Sequence, residues 1–104
     1  MTRAGMDRDE ANAVWDVLVA EVGANERDRD SFVHYLVTPD SLSSWEYRFI
    51  GTLGFGGKLH WNGRTAPRVS CYPEDRTEGR DARIRVVNDM LTESWATSSR
   101  IRHE

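Results

Sequence analysis

The sequence predicts an α+β domain of two layers, in the order α-α-β-β-β-α, with a three-stranded antiparallel meander packed against helices. Three observations carry that expectation. Apolar residues recur at three- and four-residue spacing near both ends of the chain, the mark of helices with one buried face. Between them the period drops to two, the mark of half-buried strands. The strand-like runs are separated by turns rich in Gly, Asn and Pro. A two-layer packing buries all of these stripes at once.

The first helix follows from Ala11, Val14, Trp15, Leu18, Val19 and Val22, which form one stripe. Asp9 and Glu10 suit its start, where carboxylates meet the positive end of the helix dipole. Gly23 suits its end. Residues 1–8 read as a loose arm. Asn25 can cap a second, short helix running to about Val37, with Phe32, Val33 and Leu36 on its buried face. A strand over residues 32–37 competes, because all but His34 favour a pleated surface; the helix is the preferred reading. Thr38-Pro39-Asp40-Ser41 ends it, since proline holds its predecessor in extended geometry.

In the strand region Trp45, Tyr47, Phe49 and Leu53 alternate with Glu46, Arg48, Ile50 and Thr52. Gly54-Phe55-Gly56-Gly57 is read as the turn into a second strand, in which Leu59 and Trp61 alternate with Lys58 and His60. Asn62-Gly63 signals a hairpin, because a type I′ turn needs positive φ at both positions; residues up to Pro67 can lengthen that loop. Val69 and Cys71 alternate with Arg68, Ser70 and Tyr72 in the third strand. Asp75 with Glu78 matches a capping box for the last helix, and Thr77 is a competing cap. Ile84, Val87, Leu91 and Trp95 form its stripe, and Ala96–Glu104 reads as a frayed polar tail. The expected domain is residues 9–95, with flexible tails at 1–8 and 96–104.

A chain of 104 residues suits one domain. Its apolar fraction of 38% is low and its charged fraction of 30% is high. Four Trp, three Phe and three Tyr offset that, because aromatic rings can dominate a small core. The net charge of −3 argues against general, sequence-independent nucleic-acid binding. Its distribution is uneven: residues 1–30 hold four Arg against eight carboxylates, whereas residues 31–72 hold Arg48, Lys58, Arg64 and Arg68 against Asp40 and Glu46. Lys58 is the one lysine among fourteen basic residues, a bias that fits a GC-rich genome. A single cysteine, Cys71, rules out an internal disulfide and suits a reducing, cytoplasmic compartment. MTRAGMDRDE lacks the apolar run of a signal peptide, and no stretch approaches the ~18 apolar residues of a membrane span.

Candidate chemistry is sparse. Cys71 and His60 are the one pair resembling a thiol nucleophile and its base, but strand parity puts them on opposite faces; a structural cysteine is the plainer reading. His34, His60 and His103 lack metal-ligand spacing. Gly54–Gly57 precedes a strand, not the helix N-terminus that a phosphate loop needs, so a tight turn is the plainer reading. No catalytic residue, metal or cofactor is expected, and the chain is not read as an enzyme.

Binding surfaces are more informative. The outward sheet face carries Arg48, Ile50, Lys58, His60, Arg68 and Tyr72, cations interleaved with an aromatic ring. The acidic N-terminal region could instead mimic a nucleic-acid backbone, although a charge run is usually a solvated face. The element order also contains the α-β-β-β-α order of double-stranded RNA-binding domains. Their basic cluster at the start of the last helix is replaced here by the mixed Asp75-Arg76-Thr77-Glu78-Gly79-Arg80-Asp81.

The segment Trp45–Leu59, followed by Val69–Thr77, resembles small accessory proteins encoded by actinobacterial viruses, especially mycobacteriophages. Ala11–Asp16 and Asn88–Leu91 also fit. The resemblance transfers no catalytic residue. It implies a non-structural protein of the infected cell's cytoplasm that binds and modulates a host protein or complex. The partner-binding candidates are Arg48, Gly54, Phe55, Gly56, Lys58, His60, Arg68 and Tyr72. A nucleic-acid-binding module using the same basic face is the alternative, and a homodimer is compatible with either.

Overall fold

The computed structural model describes residues 5–38, 45–50 and 56–102. Helix α1 spans Arg8–Val22. Asp7 caps it, its carboxylate accepting from the Asp9 backbone N–H at 3.2 Å. Gly23 closes it at φ 70°, and the N–H groups of Gly23 and Ala24 turn back to the carbonyls of Val19 and Leu18. The fold therefore begins before the expected boundary. Met6 is buried, and its N–H donates to the Leu36 carbonyl at 2.9 Å. Met6 and Ala11 occupy the two positions of a hydrophobic staple around the Asp7 cap, and both lie in the core.

Asn25 caps a short 3-10 turn at Glu26–Asp28, accepting from the Arg27 N–H at 3.1 Å. Helix α2, Arg29–Val37, follows directly and buries Phe32, Val33 and Leu36. The competing strand fails because a helical period sends these three side chains inward together.

The sheet is an antiparallel meander in the order β1-β2-β3, with β1 at Trp45–Ile50, β2 at Gly56–Trp61 and β3 at Arg68–Cys71. Tyr47 pairs with Leu59 and Leu59 with Val69. On the inner face Phe49, Leu59, Trp61 and Val69 are buried, and Tyr47 and Cys71 are half-buried. The expected inward position Leu53 lies outside the described residues.

Two turn expectations need correction. Gly56 and Gly57 belong to β2, and neither has positive φ; among the described residues only Gly23 and Gly63 do. They are glycines because of close approach. A Cβ on Gly57 would collide with the Ser70 carbonyl oxygen and sit 3.1 Å from the Phe49 ring. A Cβ on Gly56 would stand 2.9 Å from the Phe49 carbonyl oxygen and 3.1 Å from the Tyr72 ring. The β2–β3 connection is the loop lengthened up to Pro67, as expected, but no type I′ turn forms at Asn62-Gly63. Asn62 stays at negative φ, because its side-chain oxygen supplies the turn bonds, accepting from the N–H groups of Arg64 at 2.8 Å and Thr65 at 2.9 Å.

After a 3-10 turn at Pro73–Asp75, helix α3 runs over Glu78–Arg102. Thr77 is its cap, the hydroxyl accepting from the Arg80 N–H at 3.1 Å. Asp75 is drawn elsewhere, to the Gly56 N–H at 3.4 Å. The helix also continues through residues 96–102, read above as frayed: no Gly or Pro interrupts it there, and adding a residue to an existing helix is far easier than starting one.

Helix α1 packs against α2 and α3, and α3 lies along β3. An aromatic chain ties the layers together: Trp15 meets Phe32 at 4.5 Å between centroids, and Phe32 meets Tyr47 at 5.1 Å. Trp15 Nε1 is buried without a hydrogen-bond partner, a cost that the burial of its ring must outweigh. Trp95 closes the far end against Trp61 at 5.8 Å. No described helix is long and apolar enough to cross a membrane.

Candidate functional site

Side chains on adjacent antiparallel strands meet in cross-strand rows about 4.5–5.5 Å apart. The register sets Arg48, Lys58 and Ser70 in one row of the outer face, and Glu46, His60 and Arg68 in the next. Arg48, His60 and Arg68 are exposed, and Lys58 is half-buried. His60 Nε2 lies 3.2 Å from Ser70 Oγ, a link between the two rows. Arg48 directly opposite Lys58 is a like-charge pair, which opposes strand pairing on its own.

Tyr72 follows β3 on the same side. Its ring lies over Gly56, leaving the phenol half-buried at the margin of the basic rows. The eight candidate residues thus divide. Arg48, Lys58, His60, Arg68 and Tyr72 share one face. Gly56 lies beneath the Tyr72 ring. Gly54 and Phe55 lie outside the described residues.

Cys71 and His60 stand on opposite faces, as strand parity requires. The thiol is pushed above its ordinary range, first by burial and then by the nearby Asp75 carboxylate. His34 is exposed on α2, His60 is exposed on β2, and His103 lies outside the described residues.

Sequence reasoning missed a recess of about 260 Å³ beside Cys71, lined also by Arg76, Asp81, Ile84 and Arg85. Arg76 grips Asp81 with two parallel bonds of 3.2 Å across its mouth. Arg80 donates to the Asp75 carbonyl at 2.8 Å. The arginines at the start of α3 are thus engaged in forming the turn, and the likeness to a double-stranded RNA-binding face stops at element order.

The acidic side is similarly occupied. Arg29 reaches Asp16 at 2.6 Å, Glu26 at 2.7 Å and the Asn12 side chain at 3.1 Å, clasping α1 to the start of α2. That guanidinium holds the Glu26 carboxyl below the usual carboxylate range, chiefly by hydrogen bonding. Arg83 of α3 reaches Glu21 of α1 at 3.0 Å. Three carboxylates of the acidic helical region therefore join elements to one another instead of facing a partner.

Comparison with protein-family models, curated proteins and solved structures finds no match to the chain.

Proposed function

We propose that this chain is a non-catalytic binding module that docks an acidic surface of a host protein or complex on its outer sheet face and so modulates that host factor. One observation carries the reading: Arg48, Lys58, His60 and Arg68 stand in two adjacent rows of a single sheet face, in a chain whose net charge is −3. Such a patch steers an acidic partner and fixes its orientation. The resemblance to actinobacteriophage accessory proteins supplies the setting, the cytoplasm of an infected cell. The binding needs no metal or cofactor.

The test is affinity capture from an actinobacterial lysate, with and without nuclease, using the wild-type chain and an Arg48→Glu/Arg68→Glu variant. The expected result is a near-stoichiometric host protein, retained after nuclease and lost with the variant. Its retention should weaken as salt rises past about 0.15 M, where surface charges are screened beyond ~8 Å. Capture that the charge reversal leaves unchanged removes the sheet face from the interface.

A second reading draws on Tyr72. An aromatic ring beside cations is also the arrangement that binds single-stranded nucleic acid, by stacking and phosphate contact. Recovery abolished by nuclease, with direct salt-sensitive binding to a single-stranded oligonucleotide, would select it.

A further inference from the structure

The two edges of the sheet are treated differently. At β3 the edge is closed. The Val69 N–H donates to Asn88 Oδ1 at 2.8 Å, and Asn88 Nδ2 donates to the Val69 carbonyl at 3.1 Å. Val69 therefore turns its backbone groups away from β2, and the Leu59–Val69 pair is a non-hydrogen-bonded one. Antiparallel alternation then aims the groups of Gly57, Leu59 and Trp61 at β1, where they meet Phe49, Tyr47 and Trp45. The N–H and C=O groups of Glu46, Arg48 and Ile50 must point away from the sheet. Among the described residues, no backbone group of another element bonds to them.

An edge of this kind is normally blunted by proline, lysine, a bulge or a covering element. Strand β1, Trp-Glu-Tyr-Arg-Phe-Ile, contains neither proline nor lysine and is rich in aromatic and β-branched residues. Its inner side is also unfinished. In the row Tyr47–Leu59–Val69 the last two are buried, whereas Tyr47 is half-buried, its ring edge-on to the half-buried Tyr35 at 5.3 Å.

We infer that β1 pairs with β1 of a second copy of this chain, antiparallel about a two-fold axis at Tyr47, giving a continuous six-stranded sheet. Charge selects both occupant and register. Edge groups pair only when the outward-pointing residues 46, 48 and 50 face one another. With Tyr47 on the axis, Glu46 falls opposite the partner's Arg48 and Arg48 opposite the partner's Glu46, two opposite-charge cross-strand pairs. A register centred on Arg48 would set that arginine against itself. The chosen register also brings Tyr47 beside the partner's Tyr47, covering the unfinished aromatic edge. The pairing shares Arg48 with the outer-face patch, and Glu46→Arg, which reverses none of the patch cations, separates the two.

Sedimentation equilibrium of the full chain tests the pairing. Glu46→Arg and Arg48→Glu each turn both charge pairs into like-charge pairs, and each is expected to raise the dimer dissociation constant about tenfold or more. Mixing the two singly reversed chains restores complementarity and should re-form a dimer near wild-type affinity. Arg48→Pro removes an outward N–H without breaking a bond to β2, and should leave a folded monomer by circular dichroism. A wild-type chain monomeric up to about 1 mM, a dimer indifferent to the reversals, or a mixture that fails to reassociate each overturns the inference.

Discussion

Asn88 is the most telling side chain to remove. It stands on the inward face of α3 and satisfies both backbone groups of Val69. Both bonds are partly buried, and each is worth about 0.5–1.5 kcal/mol net. Asn88→Ala loses both and leaves a donor and an acceptor facing a truncated side chain, where water can only partly replace the amide. The expected loss is about 2–3 kcal/mol, a large share of the ~5–15 kcal/mol that stabilises a domain. For a chain of this length that corresponds to a fall in Tm of about 10–20 °C. Urea unfolding measures it, with an unchanged m-value expected because the same surface is exposed. Native-state hydrogen exchange supplies the specific readout: the Val69 amide should lose protection before its neighbours in β2 do. Asn88→Asp keeps an acceptor for the Val69 N–H but offers no donor to its carbonyl, so it should cost at least as much as alanine. A loss below about 0.5 kcal/mol, or unchanged exchange at Val69, would refute the edge-closing role.

Gly57→Ala puts a methyl group into the Ser70 carbonyl and should cost about 1–3 kcal/mol by urea unfolding, whereas Gly79→Ala, with nothing within 4 Å in the first turn of α3, should be neutral or stabilise by up to ~1 kcal/mol; equal effects would contradict the close-approach account. Because Arg29 depresses the folded-state pKa of Glu26, the stabilisation from that pair is complete above the unfolded carboxylate pKa of ~4.3 and is lost as pH falls through the lower folded value. The Tm gap between wild type and Glu26→Gln should accordingly hold steady from pH 7 to about 5 and close in more acidic buffer; a gap that widens on acidification has the wrong sign. Burial raises the Cys71 pKa, so alkylation by iodoacetamide near neutral pH should be slower in the native chain than in urea, and a faster native reaction would mean an activated thiolate.

The element order was legible because each stripe has a single period. The stripe Ala11, Val14, Trp15, Leu18 fits only a helix, and Leu59, Trp61, Val69 with intervening polar residues fits only a strand. Local chemistry was read less well where two causes share one residue. Glycine signals either positive φ or close approach, and at Gly57 the second applies, which depends on Ser70 of the neighbouring strand β3. Asn-Gly signals a tight turn unless the asparagine side chain itself takes the turn bonds, as Asn62 does. The Asp7–Glu10 spacing and the apolar Met6 before it were a readable cap and staple, hidden by the assumption that a polar N-terminus is loose. The outer-face rows followed from parity once the register was known. The recess at Cys71 did not, because Arg76 and Asp81 lie on opposite sides of a helix start and meet only through the geometry of that start.

Two sets of arginines differ in a way that bears on which surface is free to act. Arg29, Arg76 and Arg83 each hold a carboxylate and join one part of the fold to another. Among the described residues no ion pair engages Arg48 or Arg68, both exposed on the sheet. Both guanidinium groups are exposed, while Asp16, Glu21 and Glu26 of the acidic region are spent on internal joints. Reversing Arg48 places a carboxylate opposite Lys58 and removes a like-charge pair, and Arg68 supports no other element. The double reversal is thus expected to change stability by less than about 0.5 kcal/mol. Binding lost in that variant but kept in Glu46→Arg, which breaks the β1 pairing and leaves both arginines in place, reports the surface itself, whereas Arg29→Glu would confound lost charge with a broken joint between α1 and α2.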